Sequence, residues 1–163
     1  MQPVPRVVAA AIVILALAAC SSNPASTNRP SAKATVATGG AGAGATPPAN
    51  ATLPAGVTSV PAAADVDRWS LSAVEYEGQN GTRYGYWCPP GGTTRTIWGT
   101  DLYTDDSSVC TAGVHVGAIT VQGGGFVVIE MRPGADSYAA STRNGVDSQA
   151  YERWGGSYVV VKL

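Results

Sequence analysis

Trp98-Gly-Thr-Asp-Leu-Tyr-Thr-Asp-Asp-Ser-Ser-Val-Cys-Thr-Ala-Gly-Val-His-Val-Gly117 reads as a turn feeding one short helix, with the rest of the chain wrapped around it. Asp105, Asp106 and Ser107 offer oxygens to the unpaired N–H groups of a first helical turn, and the two carboxylates suit the positive end of a helix. A helix is therefore expected to start near Ser107. Val109, Ala112, Gly113 and Val116 fall at i, i+3, i+4 and i+7 and form one apolar stripe. Gly117 supplies the left-handed residue that ends a helix. Gly113 costs roughly 1 kcal/mol against Ala in a helix interior, so its presence implies that a strand or ring approaches the helix backbone closely there.

Outward from this stretch the composition divides the chain. All twelve aromatic residues lie from Trp69 onward and all eleven acidic residues from Asp65 onward. Only residues 65–163 have the makings of a core, and their length suits one domain. That region sets seven basic residues against eleven acidic ones, a net charge of −4, which argues against nucleic acid as a partner.

Residues 1–19 place Arg6 before an uncharged apolar run, Val7 to Ala19, too short to span a bilayer comfortably and suited to the apolar core of an export signal. The run ends Leu17-Ala-Ala-Cys20, which resembles the lipobox of bacterial lipoproteins. The resemblance implies cleavage before Cys20, lipid attachment to it, and a domain held at the cell membrane or outer membrane, facing away from the cytoplasm. The competing reading is ordinary secretory cleavage that leaves Cys20 a spare thiol. Residues 20–64 are built from Ala, Ser, Thr, Pro, Gly and Asn with no aromatic residue, and are expected to form a tether spanning ~35–40 Å as a flexible coil.

In the C-terminal region Trp69-Ser-Leu-Ser-Ala alternates as a half-buried strand does, and Asn80-Gly81 marks a turn. Tyr84 to Cys88 forms a second strand stopped by Pro89-Pro90, and Arg95 to Trp98 a third before the helix. Ile119-Thr-Val121 then leads through Gly123-Gly-Gly125 into Phe126 to Met131, a β-branched run suited to mid-sheet. Residues 134–156 carry loop signals with a turn at Asn144-Gly145, and Ser157 to Leu163 forms a last strand.

Trp87-Cys88-Pro89, Trp98 to Tyr103, Asp106 to Cys110, Val114 to Gly117, Gly123-Gly124, Pro133-Gly134, Tyr138 and Asn144 to Ser148 together resemble the LCCL domain family of extracellular modules. The ordered set spans about Trp69 to Leu163. The resemblance implies an α+β fold, a single small domain with one central helix wrapped by antiparallel β-sheets. It also implies a non-enzymatic binding or interaction module, with glycan or lipopolysaccharide-like ligands suggested for some members, and it transfers no settled set of ligand residues. Animal members usually hold four cysteines in two bridges, whereas this region has only Cys88 and Cys110. The implied surviving bridge joins these two, and the missing one leaves the segment near Trp69 less firmly tied.

His115 is the only histidine, close in sequence to Asp105, Asp106, Ser107 and Ser108, so an envelope hydrolase using it with a nearby carboxylate is the enzymatic alternative. Within one helix Ser108 and His115 are roughly 10 Å apart along the axis, too far to share a proton. A structural role for His115, bonded to a carbonyl or a Tyr hydroxyl, is the simpler reading. Asp101, Asp105 and Asp106 could ligate Ca²⁺, but turn formation explains them and no metal or cofactor is expected. Trp98, Asp101, Tyr103 and His115 are the candidate ligand contacts, and an exposed Trp is the feature that would stack on a sugar ring. A purely structural envelope lipoprotein is the third reading.

Overall fold

The computed structural model describes residues 46–163. The expected signal at 1–19, Cys20 and the first part of the tether lie outside the described residues. In chain order the elements are β1 (Val57–Ser59), two 3₁₀ turns (Arg68–Ser70 and Val74–Tyr76), β2 (Arg83–Cys88), β3 (Gly99–Thr100), β4 (Leu102–Thr104), α1 (Val109–His115), β5 (Gly125–Pro133), β6 (Thr142–Arg143), β7 (Val146–Asp147) and β8 (Gly156–Val161). Six strands form one sheet in the order β1-β2-β5-β8-β4-β3, and β6 and β7 form a separate hairpin. All neighbours are antiparallel except β1 and β2, so the sheet is mixed.

The apolar run read from Phe126 to Met131 is mid-sheet, with β5 paired to β2 on one side and β8 on the other. Val127, Ile129 and Met131 alternate toward the main core with Trp69, Tyr86, Ile97, Tyr103 and Tyr158, whereas Val128 is buried on the opposite face. That second face is covered from the N-terminal side. Leu53 methyls sit 2.5 and 2.7 Å from where a Cβ would stand on Gly85, and Gly85 pairs with Val128. The end of the stretch read as tether, 20–64, is therefore part of the fold. Val57–Ser59 adds a parallel strand to β2 and Val60 is buried. Its composition hides this because backbone pairing needs no aromatic side chain.

The helix is shorter than its sequence signals suggest. Ser108, not Ser107, is the N-cap, its Oγ accepting the Thr111 N–H at 3.2 Å. Ser107 Oγ is occupied by the loop, accepting the Trp98 N–H at 2.9 Å and pairing with Thr104 Oγ1 at 2.9 Å. Gly117, at φ +77°, follows the C-cap Val116. All seven helical residues are buried, because α1 meets β2, β5, β7 and the first 3₁₀ turn on different sides. At Gly113 a Cβ would stand 2.4 Å from Val127 Cγ2, so β5 is the element that approaches the helix backbone.

Two segments expected as strands, and the stretch 119–121 that leads into β5, do not form strands. Asp67 Oδ1 accepts the Trp69 N–H at 3.0 Å, and this cap turns the chain into the 3₁₀ turn Arg68–Ser70 although the alternating burial of Trp69 and Ala73 remains. That segment is also firmly held without a second bridge. Trp69 Nε1 donates to Pro89 O at 2.9 Å and Ser108 Oγ to Trp69 O at 2.8 Å. Residues 95–98 run extended, with only a single bridge from Trp98 to Gln149. Residues 119–121 double back on the helix end, where the Ala118 N–H donates to Gly113 O at 2.9 Å, and only Thr120 bridges to Gly124.

Candidate functional site

The four residues expected as ligand contacts do not converge. His115 is fully buried between Tyr103 Oη, 2.6 Å from Nδ1, and Ser141, whose Oγ and O lie 3.2 and 3.3 Å from Nε2. With both ring nitrogens engaged and no exposed edge, His115 and Tyr103 tie α1 to β4 and to the 141–148 loop and are unavailable to a ligand. Burial pushes the Tyr103 hydroxyl up to about 12. Asp101 is exposed at the β3–β4 turn in a left-handed conformation, φ 65°, and accepts from Arg143 Nη1 at 2.5 Å and Nη2 at 3.3 Å. The bidentate contact raises the Arg143 guanidinium above its ordinary value. Trp98 lines a surface depression.

The capping acids are dispersed as well. Asp105 is fully buried, with Oδ1 accepting Trp154 Nε1–H at 2.7 Å, and packs against Gly156 so closely that a Cβ there would stand 1.8 Å from Oδ2. Asp106 is half-buried and its Oδ1, shielded from solvent, accepts no hydrogen bond from the protein. Asp101, Asp105 and Asp106 thus point to three different surroundings, and among the described residues no group of three or more His, Cys, Asp or Glu side chains is arranged to hold a metal. Cys88 and Cys110 are bonded, joining the end of β2 to the first turn of α1. Cys20 lies outside the described residues.

What the fold does assemble is an aromatic face. Trp98 is fixed by its own backbone, N–H to Ser107 Oγ and carbonyl to the Thr104 N–H at 3.2 Å. Its ring meets Tyr151 edge-on with centroids 6.0 Å apart, and Tyr151 in turn meets Trp154 at 5.7 Å. Tyr151 is 42% exposed and is held in place by reciprocal backbone bonds with Tyr138 at 2.8 and 3.0 Å. Trp154 is locked by Asp105. No tryptophan among the described residues is fully exposed, so the accessible ring of the face is a tyrosine flanked by two half-buried indoles.

Two depressions border the face. One, of about 290 Å³, is lined by Ser70, Arg95, Thr96, Trp98, Asp106 and Ser108. The other, of about 400 Å³, is lined by Ala150, Tyr151, Glu152 and Arg153. Trp98 borders the first and Tyr151 the second, so their contact joins the two. Both cations already have acidic partners, Arg95 Nη2 on Asp67 at 2.5 Å and Arg153 on Asp136 at 2.6 Å. Asp106 and Glu152 have no ion-pair partner among the described residues. Flat rings bordered by carboxylates and hydroxyls can stack on an apolar ring face and accept hydrogen bonds from its rim.

Comparison with known proteins places this face inside a named module. The family model for the LCCL domain matches residues 64–158. The chain belongs to the LCCL domain family. Similar proteins include cochlin from Cavia porcellus, 36% identical over 77 residues that make up 46% of this chain and 14% of that protein. Vitrin from Bos taurus is 39% identical over 75 residues, 45% of this chain and 11% of that protein. Cysteine-rich secretory protein LCCL domain-containing 2 from Homo sapiens is 37% identical over 65 residues, 40% of this chain and 12% of that protein. The matched segment thus covers about an eighth of these larger relatives.

All the aromatic residues of the face fall within the matched LCCL segment. Sequence reasoning singled out Trp98 and counted Trp154 among the tryptophans that could stack on a sugar, but it missed Tyr151, Glu152 and Arg153 as a site and left the whole segment in loop. The signal available was two large aromatic residues three positions apart in a stretch with no strand or helix pattern. What could not be read was that Trp98 pairs with Gln149 and Tyr138 with Tyr151, which brings the Tyr151 ring beside Trp98.

Proposed function

We propose that this LCCL protein is a non-catalytic, extracytoplasmic binding module, tethered to the membrane through a lipidated Cys20, that holds a saccharide against the Trp98–Tyr151–Trp154 face. The single observation that carries the reading is that face: three aromatic rings in contact, the central one exposed, bordered by two depressions. The hydrolase alternative loses its base, since His115 is enclosed and bonded to Tyr103 and Ser141 rather than to a carboxylate. A purely structural role leaves the aromatic face without a purpose, which makes binding the preferred reading.

A glycan array probed with the full-length protein in detergent tests the site. Saccharide binding that is lost in Tyr151→Ala and Trp98→Ala, with melting temperature retained, supports it; binding indifferent to both variants sinks it. The tether is tested separately by feeding cells a palmitate analogue. Labelling of the wild-type protein that disappears in Cys20→Ala is expected, and equal labelling of both would dismiss lipid anchoring.

A further inference from the structure

Resting on that saccharide-binding reading, the charge of the face names the class of sugar. We infer that the site prefers a glycan bearing free protonated amines, as in de-N-acetylated amino sugars, over its acetylated counterpart and over phosphorylated or sulfated glycans. Every cation on the face is already committed, Arg95 to Asp67 and Arg153 to Asp136, so neither brings a net positive charge to an anionic ligand. Each depression instead adds one carboxylate without an ion-pair partner, Asp106 in the first and Glu152 in the second.

Asp106 is the more informative of the two. It lines the depression beside Trp98, and its Oδ1 is withdrawn from solvent yet accepts nothing from the protein. Asp106 as a whole is only half-buried, so an ammonium group in the depression can pair with a carboxylate charge that no cation of the described residues neutralises. The rings reinforce the same choice. An amine carried on a sugar stacked over Tyr151 lies close to the negative face of an aromatic system, which attracts cations and not anions. The surrounding domain, at net −4 over residues 65–163, repels polyanions at longer range.

The test compares two probes that differ only in acetylation, chitotetraose and tetra-N-acetylchitotetraose, titrated calorimetrically into the full-length protein in detergent at about pH 6, where alkyl amines are protonated. One exposed and one half-buried charge contact, with a cation over a ring, amount to about a tenfold tighter association of the deacetylated oligomer. The gap narrows as salt is raised. The paired isosteric variants Asp106→Asn and Glu152→Gln are expected to lower affinity for chitotetraose about tenfold more than for the acetylated oligomer, closing the gap between the two.

Equal affinity for the two oligomers, with binding still dependent on Trp98 and Tyr151, overturns the preference and leaves the saccharide site standing. Tighter binding of lipopolysaccharide or a sulfated oligosaccharide than of chitotetraose overturns it in the opposite direction. No binding of either oligomer overturns the preference, and the array with the aromatic variants then decides the saccharide reading on its own.

Discussion

Asp106 and Ser108 stand two positions apart at one end of the same helix, and only one of them holds it. Ser108 Oγ accepts the Thr111 N–H, donates to Trp69 O at 2.8 Å and pairs with the Thr111 hydroxyl at 2.8 Å. Asp106 makes no hydrogen bond within the protein through its shielded oxygen. Ser108→Ala is therefore expected to lower stability by about 1–2 kcal/mol, and Asp106→Ala to leave it within about 0.5 kcal/mol. Urea unfolding of the two variants side by side checks this, and a larger loss for Asp106→Ala would restore the acid as a cap. Tyr103 gives the residue scale its pH dependence. Its phenol titrates at about 12 in the folded protein, chiefly because it is buried, against about 10 when unfolded. Above pH 10 the unfolded chain releases that proton first, so its contribution of about 2–3 kcal/mol, intact below pH 10, is lost as pH rises through 12. Urea midpoints should fall across that window, and fall less steeply in Tyr103→Phe.

At the scale of elements, the contact between α1 and β5 is the tightest constraint. Gly113→Ala gains roughly 1 kcal/mol of helix propensity but drives a methyl to 2.4 Å from Val127 Cγ2 and 3.2 Å from Cγ1. Val127 is fully buried in the central strand and cannot move aside without disturbing Ile129 and Met131. Overpacking wins, and a net loss of about 1–2 kcal/mol with an unchanged denaturant slope is expected. A neutral or stabilised variant would show that the helix can lift from the sheet at low cost. The hairpin of β6 and β7 illustrates the opposite case, an element set by local chemistry. Asn144 at φ 51° and Gly145 at φ 75° make a two-residue turn of the kind an Asn-Gly pair favours, and Asn144 Nδ2 also donates to His115 O at 3.1 Å, closing the C-terminal end of the helix.

For the molecule as a whole, the Cys88–Cys110 bond spans 22 positions and connects the sheet to its only α-helix among the described residues. Closing a loop of that length stabilises by about 3 kcal/mol on the chain-entropy model, a large part of what a small domain possesses. Reduction is expected to lower the melting temperature by on the order of 15 °C. A calorimetric scan with and without reductant reads this directly. An unchanged transition would mean that the hydrogen bonds of Trp69 and Ser108 suffice to hold the helix in place.

The sequence by itself determined the elements whose signals are local or repeat along the chain: the helix around its apolar stripe, the β-branched central strand and the Asn-Gly turn. Only the tertiary structure decided what depends on partners far apart in the chain. It turned Trp69 into a 3₁₀ residue through Asp67, drew Val57–Ser59 into the sheet through backbone bonds alone, and moved the cap from Ser107 to Ser108 because Trp98 had taken the first hydroxyl. The candidate site belongs to this second class. His115 looked chemical in a one-dimensional neighbourhood of acids and serines but is enclosed by Tyr103 and Ser141. The aromatic face exists because residues some fifty positions apart, Trp98 and Tyr151, are brought together, and side-chain chemistry at a surface is set by what the fold places beside it.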